Sequence, residues 1–93
     1  MYSHVVMFRF GEPEDAEQAA NALRAMEGRI PQLRYLEVGT DPDTSERAAD
    51  LVLLTRFDSR EAYEVYRDHP QHREVLVVLK DMVTWSAKVD YSD

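Results

Sequence analysis

A chain of 93 residues with no cysteine, a net charge of −7 and 44% hydrophobic residues reads as one small globular domain spanning 1–93. The missing cysteine excludes disulfides, thiolate catalysis and thiolate metal sites. The acidic balance, without clustered Lys or Arg, excludes the phosphate contacts that nucleic acid and anionic membranes require. A domain this small buries roughly 60–65% of the surface its unfolded chain exposes, so a second subunit is a natural source of further burial.

In chain order, Ser3–Phe10 is rich in Val and Phe without a breaker and predicts a strand. Gly11-Glu12-Pro13 ends it and opens a helix to about Arg29, with acidic residues at its start and Arg24 and Arg29 near its end, as the macrodipole favours. Ala16, Ala19, Ala20, Leu23, Met26 and Ile30 form its apolar stripe. Pro31 breaks the pattern, Leu33–Thr40 predicts a second strand, and the polar stretch 41–48 a loop. Residues Asp50–Phe57 form a third strand, apolar at Leu51, Val52, Leu53 and Leu54. Asp58-Ser59-Arg60-Glu61 has the form of a capping box with Asp58 as N-cap, opening a helix that ends near Asp68.

Pro70 disfavours helical geometry at His69 and suits the start of a new helix, Gln71 to Lys80, which His69 is placed to cap. Met82–Tyr91 is the fourth strand. The order strand–helix–strand–strand–helix–helix–strand predicts an α+β fold: a four-stranded antiparallel sheet with its helices on one face. The first strand is apolar on both faces, with Val6, Phe8 and Phe10 on one and Val5 and Met7 on the other. Helices cover only one face, so the other predicts a two-fold homodimer pressing sheet on sheet. Met1-Tyr2-Ser3-His4-Val5-Val6-Met7 lacks a basic stretch before a small-residue cleavage site, and no apolar run reaches spanning length. A cytoplasmic location away from membranes is therefore expected.

The chemistry gathers in Tyr66-Arg67-Asp68-His69-Pro70-Gln71-His72. Tyr66 falls in the last turn of one helix and His72 in the first turn of the next, so the bend at Pro70 lets them converge. A neutral imidazole and a phenol there can remove a proton beside a carbonyl and hold the resulting enolate oxygen. The helix N-terminus disfavours imidazolium at His72. His4, on the helix-facing side of the first strand with Val6 and Phe8, is placed to reach the same region. The alternative is structural: a Tyr packed under a helix corner and histidines satisfying backbone groups. His69, His72 and Asp68 lack a firm third partner for zinc, and no Gly-rich phosphate loop or Ser nucleophile elbow occurs, so no metal or other cofactor is expected.

The chain resembles the stress-responsive dimeric α/β-barrel (Dabb) family. The matching pieces are Ser3–Phe10, Ile30-Pro31-Gln32-Leu33, Leu36-Glu37-Val38-Gly39, Asp50-Leu51-Val52-Leu53, Phe57-Asp58-Ser59, Tyr66–His72 and Val89-Asp90-Tyr91. The resemblance implies a ferredoxin-like protomer that dimerises into a barrel with its helices outside. It also implies a small-molecule-binding protein. In the family's polyketide cyclases a linear poly-β-ketone is closed by aldol or Claisen-type condensation without a cofactor. The catalytic pair of those members corresponds here to Tyr66 and His72. His4, Val6, Phe8, Leu23 and Leu53 are the substrate contacts expected from this chain's own pattern. The alternative within the family is a non-catalytic stress-responsive dimer.

Overall fold

The computed structural model describes residues 1–93. Its elements run β1 (Tyr2–Phe10), α1 (Asp15–Arg24), β2 (Tyr35–Thr40), β3 (Leu51–Phe57), α2 (Arg60–Asp68), α3 (Pro70–Lys80) and β4 (Val83–Ser92). The strands form one antiparallel sheet in the order β2-β3-β1-β4. Central β1 pairs His4 with Thr55 of β3 on one side and Asp90 of β4 on the other. No helix is long and apolar enough to cross a membrane.

The core lies between helices and sheet. Ala19, Ala20 and Leu23 of α1 bury against Leu51, Leu53 and Phe57 of β3, with Tyr66, Val75 and Leu79 closing from α2 and α3. His4, Val6, Phe8 and Phe10 take the helix side of β1, as the alternation predicts.

The other face of the sheet carries no helix. The register sets Val52, Met7 and Ala87 in one row and Leu54, Val5 and Val89 in the next, with Trp85 opposite Arg9. Met7, Trp85 and Val89 are 43%, 43% and 57% exposed, so this apolar surface has no cover within the chain. Arg9 lies over the Trp85 ring, its guanidinium carbon 5.1 Å from the ring centre. Leu76 and Val77 of α3 are also exposed, on the opposite side of the molecule.

Two boundaries differ most from the sequence reading, the others by a residue or two. α1 stops at Arg24 rather than Arg29, because the backbone tightens into i→i−3 turns: Met26 N–H donates to Leu23, Glu27 to Arg24 and Arg29 to Met26. Gly28 follows with φ of +79°. β2 begins at Tyr35 rather than Leu33, whose N–H closes a turn onto the Ile30 carbonyl.

The N-cap of α2 is Ser59 rather than Asp58. The Ser59 hydroxyl accepts from the Ala62 N–H at 3.1 Å, while Asp58 pairs with Arg34 at 3.0 Å. Ser59→Ala is therefore expected to lower unfolding free energy by about 1 kcal/mol in urea titrations. Asp58→Ala, which breaks only an exposed ion pair, should cost less than about 0.5 kcal/mol. The reverse ranking would return the cap to Asp58.

Candidate functional site

Pro70 builds the site by ending α2 and starting α3 without a connecting loop. His69 adopts an extended conformation (φ −68°, ψ 139°), as a residue before proline should. Its Nδ1 accepts from the Gln71 N–H at 3.1 Å, so His69 is the N-cap of α3. Tyr66 in the last turn of α2 and His72 in the first turn of α3 are thereby brought into contact, their ring centres 4.5 Å apart. The His72 Nδ1–H donates to the Arg67 carbonyl at 2.9 Å, satisfying an acceptor that the end of α2 would leave unpaired. A carbonyl can only accept, so the neutral His72 ring carries its proton on Nδ1 and a lone pair on Nε2.

Tyr66 is fully buried, and its hydroxyl finds no hydrogen-bond partner within the protein. Its ring packs on Phe57 at 4.9 Å and near Tyr63 at 6.1 Å. Burial, and secondarily the neighbouring Tyr63, push the phenol well above its usual pKa, so it stays protonated and can only donate or accept as a neutral hydroxyl. Burial is also the largest influence on His72. It holds the imidazole below its ordinary value against the Arg67 hydrogen bond, and the nearby His4 acts in the same direction as burial. The result is a neutral imidazole in contact with a neutral phenol. The sequence reading ascribed that neutrality to the helix N-terminus, whereas the larger cause is desolvation.

His4 completes the cluster from the sheet. Its ring lies 4.9 Å from that of Tyr63, and its Nδ1 meets the Asp90 carboxylate at 2.5 Å. The other Asp90 oxygen receives the Lys88 ammonium, also at 2.5 Å. Burial works to raise the Asp90 carboxyl, but the hydrogen bonds and charges of Lys88 and His4 outweigh it and hold the group below the usual carboxylate range. The Thr55 hydroxyl donates to the His4 carbonyl and anchors that backbone from β3.

The three chemical residues singled out in the sequence, His4, Tyr66 and His72, therefore belong to one cluster, linked through Tyr63. Val6 and Phe8 are half-buried on the same side of β1, while Leu23 and Leu53 are buried in the core behind it. Asp90 and Tyr63 were not foreseen. Only the pairing of β1 with β4 sets Asp90 opposite His4. Tyr63 is three residues before Tyr66 on the same helix, a spacing that shares a face and could have drawn attention to it.

A cleft of about 710 Å³ lies away from this cluster. It opens between the start of α1 and the β2–β3 loop, with Phe10, Ala16 and Ala20 as its floor and Glu17, Asp41 and Asp43 at its rim. The alanine stripe thus leaves space at one end of α1 instead of drawing the whole helix onto the sheet. A smaller hollow of about 230 Å³ lies between α1 and α3 beside Met26 and Val75. No group of three or more His, Asp or Glu side chains is arranged to hold a metal ion.

Fold and cluster together define a ferredoxin-like α+β protomer with a histidine–tyrosine cluster at the α2–α3 corner. The chain belongs to the stress responsive A/B barrel domain family, Dabb, whose family model matches residues 3–93. It is 24% identical over 90 residues to an uncharacterized protein of Streptomyces coelicolor, covering 91% of this chain and 93% of that one. A dimeric ferredoxin-like protein of unknown function from Thermobifida fusca superposes with a TM-score of 0.86 at 25% identity, covering 99% of this chain and 90% of that one. The hydroxynitrile lyase of Passiflora edulis shares the fold, with a TM-score of 0.81 at 15% identity over 97% of this chain and 90% of its own.

The lowered His72 pKa has a stability consequence with a definite sign. Below the ordinary imidazole value of 6.5 the unfolded chain binds a proton that the folded site resists, so this contribution is complete above that value and is lost as pH falls. The urea midpoint should drop between about pH 7.5 and about pH 5.5, and drop less in His72→Asn. The Asp90 carboxyl, lowered from 3.8, acts below this window. Equal drops in both proteins would contradict a half-buried imidazole held neutral by desolvation. Tyr66→Phe removes a hydroxyl that has no partner in the protein, so unfolding free energy should be unchanged or rise by about 1 kcal/mol.

Proposed function

We propose that this protein is a Dabb-type homodimer that binds a small β-carbonyl compound and performs acid–base chemistry on it without a cofactor. In this reading His72 is the base, Tyr66 donates a hydrogen bond to the carbonyl or enolate oxygen, and His4 supports the substrate. Val6 and Phe8 provide apolar contact, backed by Leu23 and Leu53. Condensation or cyclisation of a poly-β-ketone is the specific reaction that this chemistry suits.

The observation that carries the proposal is the Tyr66 hydroxyl, buried without a protein partner against a neutral imidazole. Such a hydroxyl costs about 1–3 kcal/mol, which core packing alone does not repay and a bound carbonyl oxygen would. With Nδ1 held by Arg67, His72 has Nε2 free to take a proton. The fold itself accommodates small-molecule chemistry, since a hydroxynitrile lyase shares it. A second reading, a non-catalytic stress-responsive dimer, draws support from the two larger hollows, neither of which touches Tyr66 or His72.

Hydrogen–deuterium exchange at the carbon between the carbonyls of ethyl acetoacetate, followed by proton NMR in D2O, separates the two. Wild type should exceed the buffer rate. His72→Ala should lose about 100-fold of that excess and Tyr66→Phe a comparable amount, with both variants still folded. A wild-type rate equal to buffer would leave the non-catalytic dimer standing.

Both readings share the dimer, supported by the uncovered apolar face and by a structural relative described as dimeric. Sedimentation at micromolar concentration should show two copies. Met7→Glu with Val89→Lys, placing unlike charges at different depths of that face, should yield a single copy or an aggregate.

A further inference from the structure

Two imidazoles flank the tyrosine pair of this site: His72 lies tilted against Tyr66 and His4 against Tyr63. Each is held through Nδ1, and in each case the partner is an acceptor, the Arg67 carbonyl for His72 and the Asp90 carboxylate for His4. In the neutral form of each ring Nε2 is therefore free of a proton. The two partners differ in one respect that matters to chemistry. The Arg67 carbonyl is a neutral dipole, whose support for a charge arriving on His72 is outweighed by burial. The Asp90 carboxylate is an anion, so a proton gained by His4 Nε2 gives a cation lying directly against it.

Resting on the functional reading above, we propose that Asp90 and His4 form a second acid–base pair of the same site, with His4 the proton donor to the substrate's carbonyl oxygen and Asp90 its positioning residue. The substrate class narrows accordingly to carbonyl compounds that enolise by concerted gain and loss of protons. In that step the carbon-bound proton passes to His72 Nε2, and the electrons of the broken C–H bond form the new C=C bond. The carbonyl π electrons move to oxygen, which takes the Nε2 proton of a His4 that enters the step as the imidazolium held against Asp90, while Tyr66 donates a hydrogen bond. The substrate becomes its enol, His72 gains the proton that His4 loses in kind, and reversal restores both.

The surroundings of His4 fit this role. Lys88 engages the second oxygen of Asp90, leaving the first to His4. The other groups near it are Tyr63 from α2, Thr55 from β3, Tyr2 on β1 through its contact with Tyr63, and His72 from α3. Asp90 is therefore the only carboxylate bonded to the His4 ring. A pair serving only to tie β1 to β4 would carry the same tautomer but would leave the exchange rate and its pH profile unmoved by Asp90→Asn, and the proposal does not.

Long-range 1H–15N correlation of the imidazole nitrogens in the full chain, with the rings neutral, reads the tautomer directly. Wild-type His4 should show a protonated Nδ1 and a bare Nε2. Asp90→Asn, whose amide can turn its NH2 toward Nδ1, should reverse this, Asp90→Glu should restore it, and His72 should be unchanged throughout. The ethyl acetoacetate exchange rate should follow a bell-shaped pH profile in wild type. Asp90→Asn should lose the high-pH limb and about tenfold or more in rate, with recovery in Asp90→Glu. A wild-type His4 with its proton on Nε2 overturns the proposal without needing any variant. So does an Asp90→Asn protein that keeps the wild-type tautomer, or the wild-type profile and rate. If wild type itself fails to exchange the ester, the functional reading falls and takes this proposal with it. Exchange that persists in Asp90→Asn removes only the proposal.

Discussion

The position of β1 is the constraint on which the remaining structure depends. It is a central strand, bonded on both edges, and it carries apolar side chains on both faces. Val6, Phe8 and Phe10 give α1, α2 and α3 something to cover, while Val5 and Met7 form the middle of a surface the helices cannot reach. Because side chains alternate strictly along a strand, one face cannot be made apolar at the expense of the other by slipping register; such a slip would bring Val5 and Met7 to the helices and send His4 out to the bare face. The same register that sets the hydrophobic layer therefore also places the histidine.

The α2–α3 corner adds the second half of the site by a different device. A proline at the first position of α3 abolishes the connecting loop, and the hydrogen bonds lost at the break are recovered locally by His69 and His72. Both histidines flanking Pro70 thus satisfy backbone groups, and one of them still has a ring nitrogen free. Structural and chemical roles are not exclusive at His72: the hydrogen bond that ties the corner together also decides which nitrogen is basic.

Most of the fold was legible because its signals are local. Pro70, Gly11 and the apolar run Leu51–Leu54 announce their elements without help from distant residues. The errors have causes of two kinds, local and distant. α1 looked longer than it is because Met26 and Ile30 continue its apolar spacing, and the tight turns after Arg24 still deliver both to the core. Asp58 and Ser59 are both capping residues, and the choice between them was made by Arg34, which lies 24 positions away and draws Asp58 aside. Within the site, Tyr66 and His72 stood out by their spacing around Pro70. Asp90 did not, because a carboxylate on an edge strand looks like ordinary surface until the pairing partner of that strand is known.

His4 and Asp90 are 86 positions apart, one on the first strand and one on the last. Their pairing needs β1 and β4 docked in register, and contacts so distant along the chain carry a large loop-closure cost and tend to form late in folding. A partly folded chain can have its helical corner, with Tyr66 against His72, and still lack the carboxylate that orients the sheet-borne imidazole. The fully connected cluster is consequently a property of the finished molecule, assembled only when the first and last strands have met.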